Sequence, residues 1–214
     1  MTSTPDTDTV IHRMAREAGG GRAPMRLEAA LPLAALTALG IAVVLVFLAY
    51  GIAPDLQATV TGAPFRHKVA SMLTLACGGL LLVASSGRPG AGRLWILALL
   101  PGLALLAYGA LTDQSAYPFV GRSGISVPVC LGVIILLSIP ALAIIMAVLR
   151  ATGIVTHPAL AGATAGVLAG ALGAAAYALA CRNDGGLFVA IWYSAAVAAV
   201  AVIGAVAGRR WLAW

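Results

Sequence analysis

The sequence predicts an all-α polytopic membrane protein, a bundle of six transmembrane helices with both termini in the cytoplasm. Three observations carry that prediction. Of 214 residues, 61% are hydrophobic and 9% charged, with a mean hydropathy of +1.01, which lies far outside the composition of an ordinary soluble domain. The apolar residues fall in runs of roughly 16 to 23, and at about 1.5 Å of rise per residue such a helix matches a hydrocarbon core of roughly 30 Å. Period-two alternation is absent, which disfavours a barrel, and backbone amides in lipid must be bonded internally, which leaves helices.

Residues 1–26 are polar and form a tail ahead of the membrane domain, residues 27–214. Within the tail Ile11, Met14, Ala15 and Ala18 fall at i, i+3, i+4 and i+7, while His12, Arg13, Arg16 and Glu17 lie elsewhere on the wheel. Asp8 or Thr9 can cap this helix and Gly19, Gly20 and Gly21 end it. A helix of about ten residues is too short to be stable alone in water and orders against a partner or a surface. Three readings stay open: a basic tail that fixes topology, an amphipathic segment that folds on a protein partner with Ile11, Arg13, Met14 and Arg16 as contacts, or a segment docked on the membrane surface.

Six spans follow, at about Leu31–Tyr50, Lys68–Ser85, Leu94–Leu111, Val127–Leu149, Ala159–Ala180 and Leu187–Ala207. The first is as long as a full span and reads as a retained signal anchor. With the N-terminus on side one, that side receives Arg13, Arg16, Arg22, Arg26, Arg88, Arg93, Arg150, Arg209 and Arg210, and side two receives Arg66, Lys68, Arg122 and Arg182. The larger group marks the cytoplasm, and an even number of spans agrees with both termini lying there. Trp95, Trp211 and Trp214 then mark the cytoplasmic interface, and Tyr50, Tyr108, Tyr177, Trp192 and Tyr193 the outer one. Gly162, Gly166 and Gly170, followed by Gly173, predict close approach of another helix to the fifth span. The net charge of +6 is spread singly over tails and loops, and no basic patch with interleaved aromatics points to direct nucleic-acid binding.

Chemistry has few places to reside. Intramembrane charge is nearly absent, with Arg66 and Lys68 read as snorkelling outward and Asp55, Asp113 and Asp184 read as loop residues, so a transporter or channel has little support. The GRSG at Gly121–Gly124 resembles a serine-nucleophile motif, yet no span supplies a histidine base for Ser123. His12, His67 and His157 are divided between the two faces and make no single metal or haem shell. The chain is therefore read as a non-enzyme without a resident cofactor.

Cys77 lies mid-span and reads as a small packed hydrophobe. Cys130 lies within about a turn of the outer end of the fourth span, and Cys181 ends the fifth, followed by the turn Asn183, Asp184, Gly185 and Gly186. Both thiols thus fall at the outer face. Packing alone accounts for them, and so does a site, since two thiols at one depth facing an oxidising compartment can form a disulfide or transiently hold a thiophilic metal ion.

The order of these pieces resembles a known family. A tail ending in PMRL, a cysteine early in the fourth span followed by LLSIPALAIIMAVLR, the stretch HPALAGATAGVLAGALGAAAYALAC, then FVAIWY and a terminal Gly-Arg-Arg are together similar to the NrsF-type membrane anti-sigma factors of proteobacteria. The resemblance covers essentially the whole chain and is most specific from Cys130 to Trp214. It implies six spans in the bacterial inner membrane and a cytoplasmic N-terminal segment that sequesters an extracytoplasmic-function sigma factor. It also implies two outer cysteines, matching Cys130 and Cys181, that sense metal or oxidant stress. A small transporter or a structural subunit of a membrane complex is the alternative.

Overall fold

The computed structural model describes residues 7–19, 27–51, 56–86, 93–113, 119–121, 123, 126–152, 155 and 157–213, and among them no strand occurs. Helix α1 (Thr7–Gly19) is the helix foreseen in the tail; Ile11 and Met14 are 56% and 65% exposed, and Arg13 is exposed beside them. The side chain of Arg16 and the rest of the tail lie outside the described residues. Helices α2 (Leu27–Tyr50), α4 (Ala63–Ser86), α6 (Ser126–Thr152), α7 (Pro158–Tyr177) and α8 (Gly186–Trp211) follow the hydropathy. These five are long and apolar enough to cross a membrane. The segment foreseen at Leu94–Leu111 is shorter and starts as a 3-10 coil, Arg93–Leu99, before α5 (Leu100–Leu111). A short helix α3 (Leu56–Thr61), which no hydropathy signal announced, precedes α4.

Helix α7 is the centre, packed against α2, α4, α6 and α8, and every residue from Leu168 to Tyr177 is buried. A helix apolar on all sides belongs inside a bundle, and its small side chains set how near each neighbour comes. A Cβ on Gly162 would strike the carbonyl of Gly204, one on Gly166 would lie 2.6 Å from the Cα of Ala201, and one on Gly204 would strike the carbonyl of Gly162. The glycine stripe of α7 thus faces Gly204 and Gly208 of α8, a reciprocal small-residue seam of the kind that lets membrane helices touch backbone to backbone.

Adjacent glycines fit α4 between two neighbours. Gly78 admits the backbone of Ala98 on one side and Gly79 that of Leu168, on α7, on the other. In α2, Ala30, Ala34, Ala38, Ala42 and Val46 repeat every four residues and are buried, whereas Leu33, Leu36, Val44 and Leu48 face outward, as suits contact with hydrocarbon. Cys77, expected to pack inside, is on the exposed side of α4. Gly78 and Gly79 put the close contacts on either side of it, so its own direction opens outward.

Gly162→Ala is expected to lower the thermal unfolding midpoint of the detergent-solubilised protein by several degrees, since overpacking a tight seam costs about 1–3 kcal/mol. Gly132→Ala has nothing within 4 Å of the added Cβ, and the helix gains up to about 1 kcal/mol from the better helix former. Equal midpoints for the two variants would contradict the seam.

Candidate functional site: a buried thiol pair with a lysine

At one end of the bundle come together the start of α4, the ends of α2 and α7, and the beginnings of α6 and α8. Cys130 is on the first turns of α6 and fully buried; Cys181 follows α7 and is nearly so. The fifth span was expected to run to Ala180, but α7 stops at Tyr177 and the chain turns through residues 178–180 before Cys181. The turn is closed by bonds from the Ala180 and Cys181 amides, each 3.0 Å from the Tyr177 carbonyl. It brings Cys181 back over the bundle, within hydrogen-bonding reach of the Cys130 thiol. Both cysteines are free.

Lys68 changes the reading of this end. It was expected to snorkel outward, yet it is 1% exposed, its ammonium 2.8 Å from Asp184 Oδ1 and 3.1 Å from the Cys181 carbonyl oxygen that accepts its bond. An unpaired ammonium at such a place would cost several kcal/mol in lost hydration. The loop after α7 folds back and supplies the missing acceptors, so the side chain has no need to reach for water. Asp184, with its side chain 42% exposed, keeps part of its hydration. The ring of Tyr193 lies 6.0 Å below the ammonium, near the outer limit of a cation–π contact.

Tyrosines complete the surroundings. Tyr177 packs between Tyr50 and Tyr193, with ring centroids 6.4 and 6.3 Å away. Residues Val189–Tyr193 form a π-helical turn inside α8, a local widening that often accompanies functional sites. Tyr193 ends that turn and is fully buried. Its hydroxyl makes no hydrogen bond of good geometry, although it comes close enough to the Cys181 sulfur to favour a negative charge there. Cys181 is held below the usual thiol range, first by the hydrogen bond from the Cys130 thiol and then by the charge of Lys68, against the opposing effect of burial. A cationic neighbour favours the thiolate, the form of a cysteine that reacts with oxidants and soft metal ions.

Beside the Lys68–Asp184 pair an open cleft of about 510 Å³ runs between α4, α5 and α8, lined also by His67, Tyr108 and Asp113 among others. Asp113, read as a plain loop acid, accepts the Leu187 amide at 2.8 Å and so ties the start of α8 to the end of α5. Among the described residues no group of three or more His, Cys, Asp or Glu side chains could hold a metal ion. Any metal here would rest on two sulfurs, a set suited to soft ions of low coordination number. Ser123 is exposed and its hydroxyl lies 3.0 Å from that of Ser126, a local contact within the turn.

Sequence reasoning placed both cysteines at this end and missed Lys68, Asp184 and Tyr193. The available signal was the lysine itself, since an ionisable residue at a span end calls for a partner to be named.

Fold and site together define a helical bundle with membrane-crossing segments whose one concentration of reactive groups, among the described residues, is a dithiol beside a buried ion pair. The family model described as NrsF, "Negative regulator of sigma F", matches residues 18–214, and the chain belongs to that family. The "Anti-sigma-F factor NrsF" of Caulobacter vibrioides (strain NA1000 / CB15N) is 34% identical over 217 residues, covering 97% of this chain and 99% of that protein. The "Probable anti-sigma-F factor NrsF" of Azospira oryzae is 35% identical over 158 residues, 70% of this chain and 72% of that protein. No solved structure matches the chain.

Tyr193→Phe removes a hydroxyl that is buried without a good partner. Its thermal midpoint is expected to equal or exceed that of the parent by a few degrees, because an unsatisfied buried hydroxyl costs about 1–3 kcal/mol. A clear drop would show that the hydroxyl makes a bond the geometry does not reveal.

Proposed function

We propose that this protein is a membrane-embedded anti-sigma factor that holds an extracytoplasmic-function sigma factor through its cytoplasmic N-terminal helix. It releases that factor when Cys130 and Cys181 react. The observation that carries the reading is the meeting of those two thiols in a chain of this family. The names of the two relatives, an anti-sigma-F factor and a probable one, support a sigma factor as partner. Capture is assigned to α1, because Ile11 and Met14 present an apolar side with Arg13 next to it. An exposed apolar stripe on a short helix suits docking in a groove of a partner. Arg16 is assigned to the same surface from its place on the helix.

The membrane is the inner membrane of a bacterium, crossed six times, with the apolar segment Trp95–Leu111 as the sixth crossing. Both termini are then cytoplasmic and the thiol pair faces outward, as the arginine distribution requires. Oxidation of the pair removes two electrons and two protons to an oxidant and forms one S–S bond. A thiophilic metal ion instead displaces the two protons and bridges the sulfurs. Either event changes the distance and charge between α6 and the end of α7, and only a differential effect on two arrangements of the bundle can release a partner.

The double variant Cys130→Ser, Cys181→Ser is expected to bind the sigma factor as the parent does and to lose induction by both oxidant and metal in a reporter assay. Undiminished induction would sink the sensing role. Removing residues 1–20 is expected to leave the membrane domain in place and the sigma factor active without any inducer, read as constitutive reporter output; continued repression would move the capture surface elsewhere.

A further inference from the structure

Residues Cys181–Gly185 run without helical structure from the turn after α7 to the start of α8. This strap carries Cys181, which it brings against the Cys130 thiol. Cys130 has no exposed surface and Cys181 has little. The strap is held to α4 at two points, the Cys181 carbonyl and the Asp184 carboxylate, and both are bonds to the same ammonium, that of Lys68. A further tie lies just beyond, where Asp113 accepts the Leu187 amide. Within the strap, the Cys181 sulfur also makes a long contact of 4.0 Å with the Asn183 carbonyl.

We propose that Lys68 is the positioning residue of the thiol pair: by binding the Cys181 carbonyl and Asp184 together it closes the strap over Cys130, so that only small reactants reach the sulfurs. The inference rests on the reading of Cys130 and Cys181 as the responsive pair and adds which reactants that pair admits. Two features set the direction of the effect. Charge-assisted bonds are stronger than neutral ones and weaken steeply when one partner loses its charge. Asp184 is partly exposed, so neutralising it removes the charge-assisted tie at a side chain that water can reach, and the single bond to the Cys181 carbonyl is left to hold the strap.

The test uses the full chain in detergent on a Cys77→Ala background, so that the pair supplies the thiols. Methyl methanethiosulfonate is the small probe: a thiolate attacks its sulfenyl sulfur, an S–S bond forms, and methanesulfinate leaves with the bonding pair. A maleimide carrying a polyethylene glycol chain is the bulky probe, which adds a cysteine sulfur across its double bond. In the parent the small probe modifies the pair and the bulky one hardly does. Asp184→Asn and Lys68→Met are expected to raise the bulky-probe rate by about tenfold or more relative to the small-probe rate, while Lys68→Arg, which keeps the charge, stays near the parent. An unchanged ratio in Asp184→Asn would overturn the proposal, and so would an equal rise in Gly162→Ala, which loosens the bundle at a distance from the strap. Should Lys68→Met fail to fold, Asp184→Asn with its partly hydrated side chain still decides the matter. The readout involves no sigma factor, so induction that survives loss of both cysteines would remove the sensing role without altering the rate ratio, and an unmoved ratio would remove the strap without altering sensing.

Discussion

The closeness of the α7 and α8 backbones is the constraint on which the rest of the bundle depends. Gly162 and Gly204 each fill the space that a methyl group on the other would need, so the distance between these helices is set by main chain and not by side chains that can yield. In lipid, where apolar side chains gain nothing by leaving one hydrocarbon for another, such contact is the main source of helix association. With α7 fixed to α8, the remaining neighbours are placed by the surface α7 offers them. It offers the backbone at Leu168 to Gly79 of α4, and Gly173 to the backbone of α6 near Ser138, whose hydroxyl turns back onto the carbonyl of Ile134.

A tight seam along most of α7 gives its C-terminal end a different task. The turn at residues 178–180 carries the chain across the end of the bundle, and Tyr177 and Tyr193 fill the wider space there with rings in place of glycines. Burying Lys68 at this end demands acceptors for its ammonium, and the strap that begins at Cys181 provides them through the Cys181 carbonyl and Asp184. Ion pairing and thiol burial are thus two results of one loop conformation. The same Cys181 residue accepts the lysine's bond through its carbonyl and meets Cys130 through its sulfur.

Much of this was legible in the sequence, and the reasons for the rest are specific. Hydropathy located the long helices because each must bury a length of apolar chain comparable to the bilayer, whatever its neighbours do. The Gly162–Gly166–Gly170 stripe announced close approach, but one stripe cannot name its partner, and Gly204 and Gly208 are separated from it by some forty residues of chain. Charge counting brought Cys130 and Cys181 to one depth; their contact depends on helix rotation, which depth does not determine. Lys68 was misread because a lysine near a span end has two solutions, reaching for water or receiving a folded-back acid. Asp184 stands 116 residues away, with nothing in the local pattern to choose between them. The π-helical turn before Tyr193 is set by tertiary packing, and an extra residue there rotates the remainder of α8 by about 100° relative to a regular helix.

The placement of the thiols also determines where a change at them can travel. Cys130 belongs to α6 and Cys181 to the loop after α7, while Lys68 ties that loop to α4 and Tyr193 abuts it from α8, so a new bond between the sulfurs draws on four elements at once. They do not yield equally. The α7–α8 seam is in backbone contact and has no slack, and α4 is lodged between α7 and the coil before α5 through Gly78 and Gly79. Helix α6 differs, because Pro140 stands inside it and cannot donate to the carbonyl of Leu136, which removes one rung from the helix between Cys130 and its far end at Arg150. The far end of that helix, with Leu149 and Arg150, shares a small pocket with Trp211 and Leu212 at the end of α8, at the opposite side of the bundle from the thiols and on the side where α2 begins after the tail.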